Sequence, residues 1–145
     1  MPGVVVEGPD GAGKTTLIRE LRNTLHLPVV HVVQPGEPDI KQMLNLLDCG
    51  PLIFDRFHWS PVVYGEVLRD GPELSEYDLW ALDGYLMSRG YVTILCSTGV
   101  DLMVENNRNA PQLWEEVKKF EVLNRLNNEY LKLRYKNNRC LLYDY

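Results

Sequence analysis

Residues 8–15 read Gly-Pro-Asp-Gly-Ala-Gly-Lys-Thr, which fits the pattern of a glycine, four residues of any type, and then Gly-Lys-Thr. The apolar run 4–6 precedes this stretch, and apolar residues at helical spacing follow it over 17–25. Strand, glycine-rich turn and helix in this order are the context in which the pattern forms a phosphate-binding loop. A glycine-rich turn that fits the pattern by chance is the alternative, and the two flanking elements argue against it.

The residue types of this stretch suit the binding of a triphosphate. Glycines let the backbone curl so that successive N–H groups point at phosphate oxygens, and the first turn of the following helix adds unpaired N–H groups. Lys14 supplies a mobile positive charge for the β- and γ-phosphates, and the Thr15 hydroxyl is placed to bind Mg²⁺. We therefore predict ATP and Mg²⁺ as cofactors. The residues expected to contact the nucleotide are Gly8, Asp10, Gly11, Ala12, Gly13, Lys14, Thr15 and Thr16.

Length and composition indicate a single domain, residues 1–145, of ordinary globular character, with 45% apolar and 24% charged residues. The formal net charge of −5 argues against general nucleic-acid binding, which is usually accompanied by a basic excess. Three scattered cysteines are too few for a disulfide framework and are expected to be buried free thiols. Since no signal peptide or membrane-spanning run is recognisable, we expect a cytoplasmic protein without membrane contact.

Apolar segments rich in β-branched residues alternate with segments of helical periodicity along the whole chain. Five strands are predicted at 4–7, 29–33, 52–54, 91–96 and 140–143. Helices are predicted at about 14–25, 40–47, 75–88, 100–107 and 112–135, and a further helix is predicted after an N-cap at Ser60. Ser75, with Asp78 three residues later, has the spacing of a second helix cap. This alternation favours a three-layer α/β/α sandwich around a mostly parallel five-stranded sheet, as in nucleoside and nucleotide kinases with a phosphate-binding loop.

Asp55 and Arg56 directly follow the third predicted strand and form a second candidate site. Phosphoryl transfer needs positioned charges around the transferred group and a carboxylate near the acceptor. A carboxylate at position 55 could bind Mg²⁺ through water or accept a proton from an acceptor hydroxyl, while the guanidinium of Arg56 could grip an anionic acceptor. A structural ion pair at a strand end is the alternative, and the nearby phosphate-binding loop favours the functional interpretation.

Further candidates lie close to these two stretches. Glu7 ends the first strand, where it serves either as a general base or as a buried hydrogen-bonding group. Trp59 and Tyr64 follow Arg56 and could contact the base or sugar of a substrate, although aromatic residues in such positions often belong to the core. Asp10 is expected to face the acceptor, because a carboxylate turned toward the phosphates would repel them.

Three positions outside these stretches complete the prediction. Gln34 follows the end of the second strand, where ligands bind in open α/β sheets, and is a candidate substrate contact. Arg108 lies in a connection, 106–113, that could close over the triphosphate as a lid; a solvated surface arginine is the alternative. His31, inside the second strand, is interpreted as a core or sheet-face histidine.

Residues 7–16 resemble the phosphate loop of thymidylate kinases, which typically reads Glu-Gly-x-Asp-Gly-Ala-Gly-Lys-Ser/Thr-Thr. Residues 55–57, Asp-Arg-Phe, resemble that family's Asp-Arg-Tyr/Phe, and Val63-Tyr64-Gly65 is similar to small phage-borne members. The resemblance implies ATP as donor and a (deoxy)nucleoside monophosphate as acceptor, with Asp10 and Arg56 near the acceptor. It also implies an arginine-bearing lid before the last long helix, a homodimer formed through the helix after Ser60, and, for a phage protein, the host cytoplasm.

Three other functions stay open on the sequence. Deoxynucleoside kinases share a similar loop and use a carboxylate base followed by an arginine. A kinase of another small molecule or of a polynucleotide end would need the same phosphate-binding loop. A non-catalytic nucleotide-binding module would bind ATP without transferring its phosphoryl group.

Overall fold

Five strands and six α-helices alternate along the part of the chain that a computed structural model describes, residues 3–32, 39–110, 113, 115–137 and 139–144. The strands are β1 (Val4–Glu7), β2 (Val29–His31), β3 (Ile53–Asp55), β4 (Val92–Cys96) and β5 (Cys140–Tyr143). The helices are α1 (Lys14–Leu25), α2 (Ile40–Leu47), α3 (Trp59–Leu68), α4 (Glu76–Ser88), α5 (Val100–Asn107) and α6 (Phe120–Lys136), with a 3₁₀ turn at Glu115–Lys118.

The strands form one sheet in the order β2-β3-β1-β4-β5, and all pairings between the described strands are parallel. The predicted fold class, an α/β sandwich with a five-stranded sheet, is confirmed. From β1 the chain crosses to β2 in one direction, and every later crossover runs in the other direction. Right-handed crossovers therefore place α1 on one face of the sheet and the later helices on the other. In agreement, α1 packs on β1 and β3, whereas α2 contacts α4, and α6 contacts both α3 and α5.

The core lies on both faces of the central strands. Val5 and Val6 in β1 and Ile53 and Phe54 in β3 are fully buried, because central strands of a parallel sheet are covered by helices on both sides. The buried faces of α3 and α6 meet beside them, where Tyr130 is among the largest fully buried side chains. Within the described part of the chain, none of the helices combines the length and the apolar character needed to span a lipid bilayer.

Local chemistry explains some helix ends, and the structure corrects others. Ser75 caps α4 as predicted, since its side chain accepts a hydrogen bond of 3.1 Å from the Asp78 N–H. The expected N-cap at Ser60 is wrong: α3 begins at Trp59, and Ser60 is buried with its hydroxyl turned into the core. The long helix predicted from position 112 is also wrong in its first part, which is a 3₁₀ turn at Glu115–Lys118 followed by α6.

Two further expectations needed correction. β2 spans Val29–His31, and Val32 lies outside it, whereas position 33 of the predicted strand lies outside the described residues. Among the described strands β3 is its one neighbour, and β2 is only partly buried at this edge of the sheet. All three cysteines are free thiols, but only Cys96 and Cys140 are buried, and Cys49 is exposed. Burial raises the pKa of the Cys96 thiol to about 12, which makes it a poor nucleophile.

Candidate active site

The candidate site lies at the carboxyl edge of the sheet, between β1 and β3. These neighbouring strands continue into connections that cross the sheet in opposite directions, which opens a crevice beyond their ends. Residues 8–13 follow β1 at this point, Asp55 is the last residue of β3, and Arg56 follows it. In the sheet register Val6 pairs with Asp55, so the end of β3 is held beside the start of the phosphate-binding loop.

The loop has the backbone that its glycines predict. Gly8, Gly11 and Gly13 all have positive φ angles, of 148°, 82° and 91°. A Cβ atom on Gly8 would lie 2.5 Å from the carbonyl oxygen of Cys96, so a side chain cannot be accommodated there. Gly13 occupies the N-cap of α1 and cannot cap it with a side chain, which leaves the first N–H groups of the helix available to an anion.

The end of α5 holds the outer side of this loop. The Asn107 side-chain amide donates to the carbonyl oxygen of Asp10 over 2.8 Å, and that of Asn106 donates to Gly11 over 2.9 Å. Both asparagines also border a cavity of about 290 Å³ between the loop and the segment after α5. The cavity is lined by Asp10, Gly11, Gly13, Lys14, Thr15, Thr16, Asn106, Asn107, Ala110 and Leu113. Six of these ten residues belong to the predicted nucleotide-contacting set.

Lys14 and Asp55 contact each other across the crevice. Lys14 Nζ lies 3.2 Å from Asp55 Oδ1, and the other carboxylate oxygen lies 3.0 Å from Nδ1 of His31. Burial, followed by the charge of Arg56, lowers the pKa of Lys14, while the carboxylates of Asp55 and Asp10 act in the opposite direction. The structure thus brings together Lys14 and Asp55, two residues that the sequence predicts to be catalytic. It also adds His31 to this contact, which the sequence had not indicated.

Arg56 and Asp10 form a second ion pair beside the first one. Arg56 Nη2 lies 2.9 Å from Asp10 Oδ1, and it also donates to the Tyr64 hydroxyl over 2.9 Å and to the Gly8 carbonyl oxygen over 3.3 Å. Tyr64 in turn donates to Asp10 Oδ2 over 2.7 Å. Burial raises the pKa of Asp10, but Arg56, Tyr64 and Lys14 lower it more, so the net shift is downward and Asp10 stays ionised.

The backbone and the free nitrogen of Arg56 are unusual for a residue with only a structural role. Its φ angle is +65°, a left-handed conformation that a residue with a Cβ seldom adopts and that clusters at functional sites. Its Nε is buried and has no hydrogen-bond partner among the described residues. A buried guanidinium N–H without a partner is costly unless a ligand or water satisfies it. The Nε–H of Arg56 can therefore donate one more hydrogen bond.

Glu7 lies beneath the site, fully buried. Its Oε1 accepts hydrogen bonds from the backbone N–H groups of Phe57 and Trp59, over 2.6 and 3.3 Å. Its Oε2 accepts one of 2.7 Å from the Ser60 hydroxyl, which lies 2.6 Å from the Tyr130 hydroxyl. Burial raises the pKa of Glu7, although His58, Ser60 and Phe57 partly offset the shift. These contacts give Glu7 the hydrogen-bonding role that the sequence had left as one of two options, holding the turn from β3 into α3.

The other candidates from the sequence are Trp59, Arg108, Gln34 and the predicted lid. Trp59 is buried in the core and borders a different cavity, beside α4 and the end of α6, so the structure places it among core residues. Arg108 is 65% exposed and pairs with Glu105 over 2.8 Å. Gln34 and positions 111 and 112 of the predicted lid lie outside the described residues.

Several residues of the site carried no recognisable sequence signal. His31 sits in an apolar strand, and Asn106 and Asn107 sit at a polar helix end, where each residue type is common without a function. Only the register of β2 on β3 and the packing of α5 on the loop bring them to the site. The described residues contain no cluster of three or more His, Cys, Asp or Glu side chains suited to a metal ion.

Solved structures with the same fold include proteins that bind nucleotides. The YorR protein of Bacillus subtilis, solved in complex with phosphorylated GDP, is 19% identical at a TM-score of 0.77, and the match covers 98% of this chain and 84% of that one. Deoxyadenosine kinase from M. mycoides with bound dATP is 16% identical at a TM-score of 0.64, covering 99% of this chain and 91% of that one. The same enzyme with dCMP and a flexible dCDP is 16% identical at a TM-score of 0.62, and the match covers 98% of this chain and 89% of that one.

No protein-family model matches the sequence, and no curated protein is significantly similar to it in sequence. Similarity at these levels of identity establishes a shared fold. The chain therefore has the kinase-like α/β fold that its strand and helix pattern predicts.

Proposed function

We propose that this protein is an ATP-dependent phosphotransferase whose acceptor is a nucleoside monophosphate or a nucleoside. The observation that carries the proposal is the pairing of Lys14 with Asp55 and of Arg56 with Asp10 around one crevice. A phosphate-binding loop, a carboxylate and a guanidinium in this arrangement supply what phosphoryl transfer requires of a protein. The kinase fold of the structural neighbours supports the same conclusion.

In this proposal, the loop residues 8–16 bind the triphosphate of ATP through backbone N–H groups. Lys14 leaves Asp55 and follows the developing charge on the transferred phosphoryl group. Thr15 and Asp55 are the residues that would hold Mg²⁺, and an oxygen donor set this small suits an ion that keeps most of its ligands as waters and phosphate oxygens. Bound Mg²⁺ neutralises charge on the phosphate oxygens.

The transfer breaks the bond between the γ-phosphorus of ATP and the oxygen that bridges it to the β-phosphate. A new bond forms between the γ-phosphorus and an acceptor oxygen, and ADP leaves. With a monophosphate acceptor the attacking oxygen is already anionic, and the unpartnered Nε of Arg56 is available to it. With a nucleoside acceptor the attacking hydroxyl loses its proton, and Asp55 is the carboxylate available to accept it.

The two acceptor classes rest on different observations. The resemblance of residues 7–16 and 55–57 to thymidylate kinases favours a deoxynucleoside monophosphate, with thymidine monophosphate as the first compound to test. Asp10 already balances the charge of Arg56, which favours a neutral nucleoside, as does the fold shared with deoxyadenosine kinase. In both cases residues 106–113 would close over the triphosphate and bring Arg108 to it.

The test is ADP production measured against a panel of nucleosides and nucleoside monophosphates. Lys14→Ala should abolish acceptor-stimulated ADP release while the circular dichroism spectrum and unfolding transition stay those of a folded protein. Lys132→Ala, on the exposed side of α6, is the matched control and should retain turnover. Full turnover in the Lys14 variant would overturn the proposal. ATP binding without ADP release against every acceptor would identify a non-catalytic nucleotide-binding module instead.

A further inference from the structure

His31 is the last residue of β2, and the sheet register places it directly opposite Asp55. Its Nδ1 lies 3.0 Å from Asp55 Oδ2, while the side chain as a whole is 70% exposed. Asp55 is only 17% exposed, so the exposed histidine reaches inward to a carboxylate within the crevice. The parallel pairing of β2 with β3 brings the two residues side by side.

The two oxygens of Asp55 have different partners. Oδ1 contacts Lys14 and Oδ2 contacts His31. The proposed function requires Lys14 to turn from Asp55 to the phosphates of ATP. Once it does, Oδ1 loses its cationic partner, whereas the contact between His31 and Oδ2 does not depend on Lys14. A carboxylate that binds Mg²⁺-coordinated water or an acceptor hydroxyl must keep a defined orientation at that moment.

We propose that His31 is a positioning residue that keeps the Asp55 carboxylate oriented when Lys14 engages ATP. It does so by donating an Nδ1–H hydrogen bond to Oδ2, and this inference rests on the function proposed above. Among the described residues, the charged groups that contact the imidazole are Asp55 directly and, across the same carboxylate, Lys14. The competing explanation is an exposed histidine–carboxylate contact of little consequence, since surface ion pairs are usually worth little.

Three substitutions of His31 separate these explanations. His31→Asn keeps an N–H donor near the position of Nδ1, His31→Gln moves the donor outward to the position of Nε2, and His31→Ala removes it. We expect His31→Ala to lower kcat by about 10- to 100-fold, as when a partner that orients a functional ligand is removed. The KM for ATP should change by less than about twofold, because the loop residues bind the triphosphate. His31→Asn should restore most of the loss, and His31→Gln should not.

A second measurement does not depend on activity. Long-range ¹H–¹⁵N spectra of the neutral ring distinguish an imidazole protonated at Nδ1 from one protonated at Nε2. We expect His31 to carry its proton on Nδ1 in the wild-type protein and to lose that preference in Asp55→Ala. His26→Asn is the matched control for both experiments, since His26 is exposed at the end of α1 in a left-handed conformation that asparagine tolerates.

The outcomes separate the two proposals. An Nε2–H tautomer in the wild-type protein, or equal kcat for wild type and His31→Ala, overturns the positioning role and leaves the phosphotransferase intact. A wild-type protein that phosphorylates no acceptor overturns the proposed function itself. An Nδ1–H tautomer together with a loss of kcat that His31→Asn repairs supports the positioning role.

Discussion

Arg56 Nη2 lies 2.9 Å from Asp10 Oδ1, which joins the end of β3 to a residue inside the phosphate-binding loop. The two positions are separated by 46 residues in sequence, and the parallel pairing of β1 with β3 brings them together. Tyr64 closes the arrangement, because its hydroxyl contacts both groups. These contacts therefore connect the glycine-rich loop directly to the end of β3.

Replacing the guanidinium of Arg56 should affect the acceptor more than ATP. We predict that Arg56→Lys lowers kcat/KM for the acceptor by about 100-fold, because an ammonium cannot present the same planar set of N–H groups. The KM for ATP should change by no more than about threefold, since the loop backbone supplies most of its contacts. Arginine and lysine bear the same cost of a left-handed backbone at this position, so the comparison isolates the side chain. Steady-state kinetics with each substrate varied in turn provides the check, and an equal loss for both substrates would contradict it.

The contribution of Glu7 to the free energy of unfolding should decrease as the pH rises. This is the opposite of the usual effect of a carboxylate whose pKa is lowered by folding. Burial raises its pKa above the ordinary value of 4.5, so the folded protein holds this proton more tightly than the unfolded chain. Its contribution to the free energy of unfolding is thus fully present below pH 4.5 and is lost as the pH rises through the higher folded pKa. Glu7→Gln removes the titration.

The measurement is the free energy of unfolding of wild type minus that of Glu7→Gln, from urea denaturation at several pH values. We predict that this difference falls as the pH rises above 4.5. Taking the difference cancels the opposite contribution of Asp10, whose pKa is lowered. Glu7→Ala should be less stable than Glu7→Gln by about 2–4 kcal/mol, because it leaves the buried N–H groups of Phe57 and Trp59 without an acceptor. A difference that is constant or rises with pH would show that Glu7 is ionised at no net cost.

Asn107 should increase the affinity for ATP without taking part in phosphoryl transfer. Its amide donates to the Asp10 carbonyl oxygen over 2.8 Å, and in the proposed function this bond would help to hold the loop N–H groups toward the phosphates. Asn107→Ala should weaken binding of a non-hydrolysable ATP analogue by about 5- to 10-fold, the equivalent of one lost hydrogen bond. Asn107→Asp should weaken it further, because a carboxylate would face a carbonyl oxygen. Calorimetric titration provides the measurement, and Asn128→Ala, an exposed asparagine on α6, is the matched control. Unchanged affinity in both Asn107 variants would rule out this role.

Arg108 should matter for turnover although it is exposed and paired with Glu105 in the structure. If residues 106–113 close over the triphosphate, Arg108 leaves Glu105 and adds positive charge to the transferring group. We predict that Arg108→Ala lowers kcat by about 100-fold, the usual cost of losing one charge-stabilising donor. Arg125→Ala, an exposed arginine on α6, should have no effect. Equal kcat values for the two variants would mean that Arg108 is the solvated surface residue that the sequence had left as the alternative.

The strongest sequence predictions concern features in which neighbours in the chain are also neighbours in space. The phosphate-binding loop between β1 and α1 has its positive φ angles at glycines, and the serine cap of α4 forms as its spacing predicts. The misassignments have a common cause. Ser60 has the sequence of a helix cap, but burial beside Glu7 and Tyr130 redirects its hydroxyl, and the edge position of β2 leaves that strand only partly buried.

By itself, the sequence determined the alternation of strands and helices, the curled loop at 8–13 and the presence of Asp55 and Arg56 at a strand end. These features depend on residue type and local spacing, which the chain carries without reference to its fold. Only the tertiary structure decided that Asp55 lies between Lys14 and His31, that Arg56 meets Asp10, and that Asn106 and Asn107 hold the loop. Those contacts depend on strand register and on the packing of α5, because side chains far apart in sequence meet only when the sheet sets their distance and direction.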